Sequence, residues 1–290
     1  MRRLREPMRF RQNPNRKLYV LFKLERYSSR ALTPKMVEDR KAFAAHVLEL
    51  NHRPSWFYNN LVWIDPCSSI LPRTENKGSE LALARKGKKC WASVGTQECS
   101  RNLSGKKSSL MQKSWDTERV WWLPVLARGK LHLEVLPENF GGDGPEHVAI
   151  LVEKARAAVN LRFQNDSKPS VLISDMGRGF YNPGTKIITP EYAAAVEQHG
   201  FTTFMGENAC KQPGNMPDLM LHETAVAWVR KALSKSVPKQ EWQETRDEFA
   251  HRLKQTARYI NEELNVEGLC RGFPVRVKKL SDAGGQKLKY

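Results

Sequence analysis

The sequence predicts an α/β protein whose sheet mixes antiparallel and parallel strands and is flanked by helices. Two short, apolar, β-rich runs end in single acids: Leu61–Ile64 before Asp65, and Val171–Ile173 before Ser174 and Asp175. Two β-branched and aromatic runs, 118–128 and 130–137, meet at Gly129 as a β-hairpin. Segments with apolar residues at helical spacing separate and follow these runs. The resulting order of strand, hairpin, helix, strand, helix, strand, helix belongs to a layered α/β fold.

Taken in order, residues 1–31 form a basic N-terminal arm with one apolar patch, 18–24, that suits either a short strand or a helix. Thr33 then offers an N-cap and Pro34 the first helical position, with Met36, Phe43, Ala44, Val47 and Leu48 as the apolar stripe. This helix ends before Arg53-Pro54. After Leu61–Ile64 and Asp65, Pro66 removes a backbone donor and stops the ladder. Residues 73–115 are rich in Lys, Ser and Gly and read as a long basic insertion, a loop or hairpin. After the 118–137 hairpin, Val148, Leu151, Val152, Ala155 and Val159 mark a helix over 146–163. The strand 169–175 is followed by a glycine-bearing loop, a helix over 190–198 behind Thr189, and a short strand at 201–204. A helix from 219 to about 234 carries Leu221, Ala225, Trp228, Val229, Ala232 and Leu233 on a broad apolar face, and another spans roughly 240–263. Residues 236–290 form a helical, basic C-terminal extension whose end, beyond Arg271, is expected to fray.

Charge is concentrated rather than spread. The chain has 290 residues and a formal charge of +17, and segments 1–40, 73–115 and 268–290 carry net charges of +8, +7 and +5. The rest is slightly acidic, so a near-neutral core wears three basic segments, which favours a nucleic-acid partner. In the insertion, Lys86, Lys88 and Lys89 with Trp91, and then Lys106 and Lys107, are candidates for holding a phosphate backbone beside a stacked base. Cys67, Cys90, Cys99, Cys210 and Cys270 are odd in number and form no C-x-x-C pair. A disulfide framework or structural zinc site is therefore not expected, and neither is a membrane span.

The candidate chemistry lies in three acids. The strand ending at Asp175 delivers a carboxylate to a loop, and Glu223 sits in the first two turns of a helix. Acids from separate elements are how proteins hold hard divalent cations, and Asp65 supplies a third, although a lone strand-end aspartate also reads as a turn cap. Asp218 is the rival to Glu223; its place before the helix assigns it to the N-cap, accepting an N–H from Met220 or Leu221. His222, next to Glu223, could assist or coordinate there, but reads first as a helix-surface or core histidine.

Three stretches together resemble the catalytic domain of mariner-type transposases, in the ribonuclease H-like superfamily of aspartate-aspartate-glutamate nucleotidyltransferases. The first, LTPKMVEDRKAFAAHVLEL through WFYNNLVWIDPCSSIL, is similar to the family's lead-in helix and first catalytic strand. The second, VLISDMGRGF, occupies the place of the second catalytic strand, although Met176 stands where the family commonly has Asn. The third, MPDLMLHETAVAWVRKAL, is similar to the pattern S-P-D-L-N-P-I-E followed by a tryptophan-bearing helix.

The resemblance implies a ribonuclease H-like catalytic domain over 32–235. It implies Asp65, Asp175 and Glu223 as catalytic metal ligands, and two Mg2+ or Mn2+ ions. The implied activity is phosphodiester hydrolysis and strand transfer on DNA, with transposon ends and target as partners, by a homodimer in the nucleus without membrane attachment. Because the similar segment starts near residue 32, the expectation is a fragment, a truncated copy lacking the helix-turn-helix domains, or a descendant that has lost specific end recognition. The alternative is a catalytically inactive, transposase-derived nucleic-acid-binding protein.

Overall fold

Thr33 begins the first helix as its sequence predicts: its hydroxyl accepts the Met36 N–H at 3.2 Å, and Pro34 takes the first helical position. The computed structural model describes residues 10–12, 18–23, 32–50, 52–75, 89–93, 117–142, 144–164, 168–174, 177, 179–182, 187–203, 216, 218–238 and 240–288. These fall into two units, one of residues 1–31, 70–119 and 238–244 and the other of 32–69, 120–237 and 245–290.

In chain order the elements are β1 (Phe10–Gln12), β2 (Leu18–Lys23), α1 (Pro34–Glu49), α2 (Pro54–Asn60), β3 (Leu61–Ile64), β4 (Cys67–Pro72), β5 (Lys89–Ser93), β6 (Thr117–Ala127) and β7 (Lys130–Val135). There follow α3 (Pro145–Arg162), β8 (Val171–Ile173), β9 (Tyr181–Asn182), β10 (Ile187–Ile188), α4 (Pro190–Gln198), β11 (Thr202–Thr203) and α5 (Leu221–Lys235). A 3-10 turn (Glu241–Gln243), α6 (Arg246–Glu263), α7 (Val266–Arg271) and α8 (Phe273–Asp282) complete the chain.

The smaller unit contains a three-stranded antiparallel sheet, β1-β2-β5. The apolar patch of the N-terminal arm is thus a strand, and part of the 73–115 insertion supplies its neighbour, with Leu21 opposite Trp91. In the same unit Arg73 pairs with Glu118 and donates to the Glu244 carbonyl at 2.6 Å.

The larger sheet has six strands in the order β11-β8-β3-β6-β4, with β7 also on β6. β6 and β7 form the expected hairpin around Arg128 (φ +43) and Gly129 (φ +69), the paired left-handed geometry that matches the twist of the flanking strands. β6 runs antiparallel to β3, whereas β8 and β11 are parallel to their neighbours. Pro66 interrupts the ladder only briefly, since β4 resumes at Cys67. β3 is buried throughout, the pattern of a strand covered on both faces.

On one face, Val62, Ile64, Leu123, Val125 and Leu172 join the apolar sides of α3 and α4. Arg156 of α3 donates to the carbonyls of His199 and Gly200, closing the end of α4, and its guanidinium lies 3.7 Å from the Phe201 ring centroid. On the other face, alternation along β3 presents Leu61 and Trp63, and the Trp63 ring lies 5.8 Å from that of Phe273.

α6 begins at a capping box of Thr245 and Glu248. It buries Phe249, Leu253, Ala257 and Ile260, one per turn, and packs on β7. Its Asn261 side chain donates to the Leu131 carbonyl and accepts the Leu131 N–H, both at 2.8 Å.

The segment beyond Arg271 is not frayed. It forms α8, whose Phe273, Val277 and Leu280 are buried and which packs on α1. The two helices expected from 219 and 240 begin later, at Leu221 and Arg246.

Candidate metal centre

Parallel pairing sets the positions of the strand ends. Leu61 faces Val171 and Trp63 faces Ile173, so β3 and β8 terminate at the same end of the sheet. Asp65 follows β3 directly, on the side to which Leu61 and Trp63 alternate, and its side chain is 23% exposed. Ser174, buried at the end of β8, lies 3.5 Å from the Tyr192 hydroxyl. Asp175 lies outside the described residues.

α5 brings the other donors to this end of the sheet. Its first turn carries His222, buried against the core, and Glu223, which faces outward. The ligand atoms of Asp65, His222 and Glu223 lie within 4.8 Å of one another, and His222 Nε2 is 3.7 Å from Asp65 Oδ2. Two donors around one ion bound at about 2.1 Å stand roughly 3.0–4.2 Å apart, so this set suits a divalent cation after small side-chain adjustments. Glu223 also lies in the helix's first turn, where the macrodipole favours a negative group.

Burial pushes the His222 imidazole down to about 4, so it is neutral near pH 7. Cys67, just beyond Asp65, is buried; desolvation drives its thiol well above the ordinary range, Asp65 and Glu223 add to the rise, and Arg230 opposes it. Arg230 lies two turns along α5 from Glu223, on the same side of the helix.

Asp218 is not the N-cap of α5. That position belongs to Met220, and no side chain caps it. The Asp218 carboxylate instead takes both ends of the Arg40 guanidinium, at 2.9 Å for Oδ1 and 2.5 Å for Oδ2, and accepts the Leu288 N–H at 3.0 Å. Arg40 is completely buried and also donates to the Gly285 carbonyl at 2.8 Å. A long-range ion pair has taken the carboxylate that local sequence assigned to a cap. Burial raises the Asp218 pKa, but the Arg40 and Leu288 hydrogen bonds outweigh it and hold the group below its usual value.

Of the residues expected to carry chemistry, Asp65 and Glu223 are brought together. His222, expected at the helix surface or in the core, is buried and also borders them. Its position directly before an acid in the first helical turn was the available signal. Lys86, Lys88, Lys106 and Lys107 lie outside the described residues, and Lys89 opens β5.

The fold is thus an α/β domain whose mixed sheet brings the carboxylates of Asp65 and Glu223 together at one end. No family model and no curated protein matches the sequence, but solved structures match its fold. The Mos1 transposase paired-end complex with left transposon end aligns with a TM-score of 0.56 at 10% identity, covering 92% of this chain and 67% of that one. The crystal structure of the catalytic domain of Mos1 mariner transposase aligns at 0.55 and 8% identity, covering 91% of this chain and 100% of that one. The mariner Mos1 paired end complex with Mg aligns at 0.54 and 12% identity, covering 92% and 67%. At these identities the likeness is one of fold: this chain has the ribonuclease H-like fold of a mariner-type transposase catalytic domain.

Proposed function

We propose that this protein is a metal-dependent DNA endonuclease and strand transferase of the mariner transposase type. The observation that carries the reading is the meeting of Asp65 and Glu223, from β3 and α5, with donor atoms within 4.8 Å in that fold. Asp175 is the third proposed ligand. It follows Ile173 by two residues as Asp65 follows Trp63, and Trp63 and Ile173 are register partners. The proposed complement is two ions, Mg2+ or Mn2+, held by Asp65, Asp175 and Glu223.

Bound there, the cations would supply Lewis-acid stabilisation of the attacking and leaving oxygens in phosphodiester displacement. The residues of the chain position that chemistry. Asp65 is fixed by the buried strand behind it, and Glu223 by the helix whose apolar side packs against the sheet. The basic segments 1–40, 73–115 and 268–290 support DNA as the polyanion, with Lys86, Lys88, Lys89, Lys106 and Lys107 as proposed phosphate contacts. A homodimer acting in the nucleus on transposon ends and target completes the proposal.

The test is nicking of supercoiled plasmid by the full chain with Mg2+ or Mn2+. Asp65→Asn, Asp175→Ala and Glu223→Gln are each expected to lose about 100-fold or more in rate while retaining DNA binding. Equal cleavage by wild type and variants, or binding without cleavage by any of them, would refute the catalytic reading; the latter is the outcome expected of an inactive DNA-binding descendant.

A further inference from the structure

The phosphoryl-transfer reading leaves His222 without a role, although its ring stands among the proposed ligands. The residue is 1% exposed, and its Nδ1 has no hydrogen-bond partner. Its Nε2 lies 3.7 Å from Asp65 Oδ2, beyond the usual hydrogen-bond range of about 2.7–3.2 Å. Leaving a polar group buried in this state is costly, and His147 avoids it. His147 Nε2 accepts the Gly141 N–H at 3.0 Å, and the partly exposed His132 lies beside Glu134. The Nε2–Oδ2 gap, as distinct from the orphaned Nδ1, matches the spacing of two donors around one cation. A separation of 3.7 Å falls between the roughly 3.0 Å of adjacent and 4.2 Å of opposite donors at ordinary metal–ligand lengths.

We propose that His222 is a nitrogen donor to the divalent ion that Asp65 and Glu223 would hold, making the centre a mixed oxygen–nitrogen site that accepts Mg2+ but binds first-row transition ions more tightly. The inference rests on the carboxylate metal site proposed above and specifies its ligand set. Carboxylates suit Mg2+ and Mn2+ alike, so an all-oxygen site discriminates weakly. An imidazole shifts preference toward first-row transition ions, with affinity rising from Mn2+ through Co2+ to Ni2+. The local sequence also makes the geometry economical: adjacent residues in the first turn of α5 supply the imidazole from the buried side and the carboxylate from the open side.

The test uses the full chain loaded with Mn2+ and electron spin-echo spectroscopy, which detects nitrogen bonded directly to the ion. Wild type is expected to show a bound-nitrogen coupling that changes when histidine is labelled with 15N. His222→Gln is expected to abolish that coupling and weaken Mn2+ binding by about tenfold or more, while Mg2+ affinity changes less than about threefold. Mn2+ that binds in an Asp65-dependent manner without nitrogen coupling overturns the His222 assignment and leaves the carboxylate site standing. Coupling that persists in His222→Gln also overturns it. Mn2+ binding that Asp65→Asn does not weaken removes the carboxylate site and this inference with it. If the buried substitution prevents folding, the absence of a histidine-nitrogen coupling in wild type still overturns the assignment.

Discussion

Replacing Arg40 with methionine removes a completely buried guanidinium while keeping most of its aliphatic volume. In the native fold that group donates to Asp218 through two nitrogens and to the carbonyls of Gly285 and Gln286. The variant leaves a carboxylate only 9% exposed with the Leu288 N–H but without its cation. Removing one partner of a buried pair costs about 3–5 kcal/mol. At about 2–4 °C per kcal/mol for a chain of this size, the melting temperature should fall by roughly 10 °C.

Thermal and urea unfolding followed by circular dichroism measure the loss. The double variant Arg40→Met/Asp218→Leu should recover about half of it, because replacing both charges with apolar groups leaves no unpaired ion. Acid titration gives a second readout. The Asp218 pKa is depressed in the folded state, so its contribution is complete above the unfolded carboxylate value of about 3.9 and is lost as pH falls through the lower folded value. The stability gap between wild type and Arg40→Met should therefore narrow below about pH 4. A single-variant loss under about 1 kcal/mol, or a double variant no more stable than the single, would refute the assignment of Arg40 and Asp218 as a structural tie.

Gly129 has φ +69, and a Cβ there would meet Glu267 Cα at 2.7 Å. Gly129→Ala should therefore lower the urea midpoint more than Gly284→Ala, whose φ is +58 with nothing within 4 Å. Glu134 is held at about 2 by the His132 hydrogen bond against burial, with Lys154 donating at 2.9 Å. Glu134→Gln should cost about 1 kcal/mol at pH 7, given the pair's partial exposure. Because the folded pKa is depressed, the deficit should shrink between about pH 4.5 and 2, as measured by urea unfolding across that range.

Signals confined to a few neighbouring residues were readable from sequence. Thr33 and Thr189 cap their helices, Gly129 turns the hairpin, and the apolar run ending at Ile64 is the strand that presents Asp65. Errors arose where a distant residue decided the outcome. Asp218 has the local profile of a cap, yet Arg40, 178 positions away, claims it. Arg276, Lys278 and Lys279 made the tail look solvated, but they alternate with Phe273, Val277 and Leu280, whose i, i+4, i+7 spacing forms a buried stripe. α2 is a single helix of seven residues, too short for periodicity to declare itself. At the site, adjacency placed His222 beside Glu223, but only packing decides which of two neighbouring side chains turns inward.

The amide of Asn261 bonds to both backbone groups of Leu131. In effect one side chain imitates the missing neighbour of β7, saturating the outward-facing donor and acceptor at that point. A strand from another polypeptide would have to displace this amide to extend the sheet there. At that point the edge of β7 is blocked against the addition of a further strand.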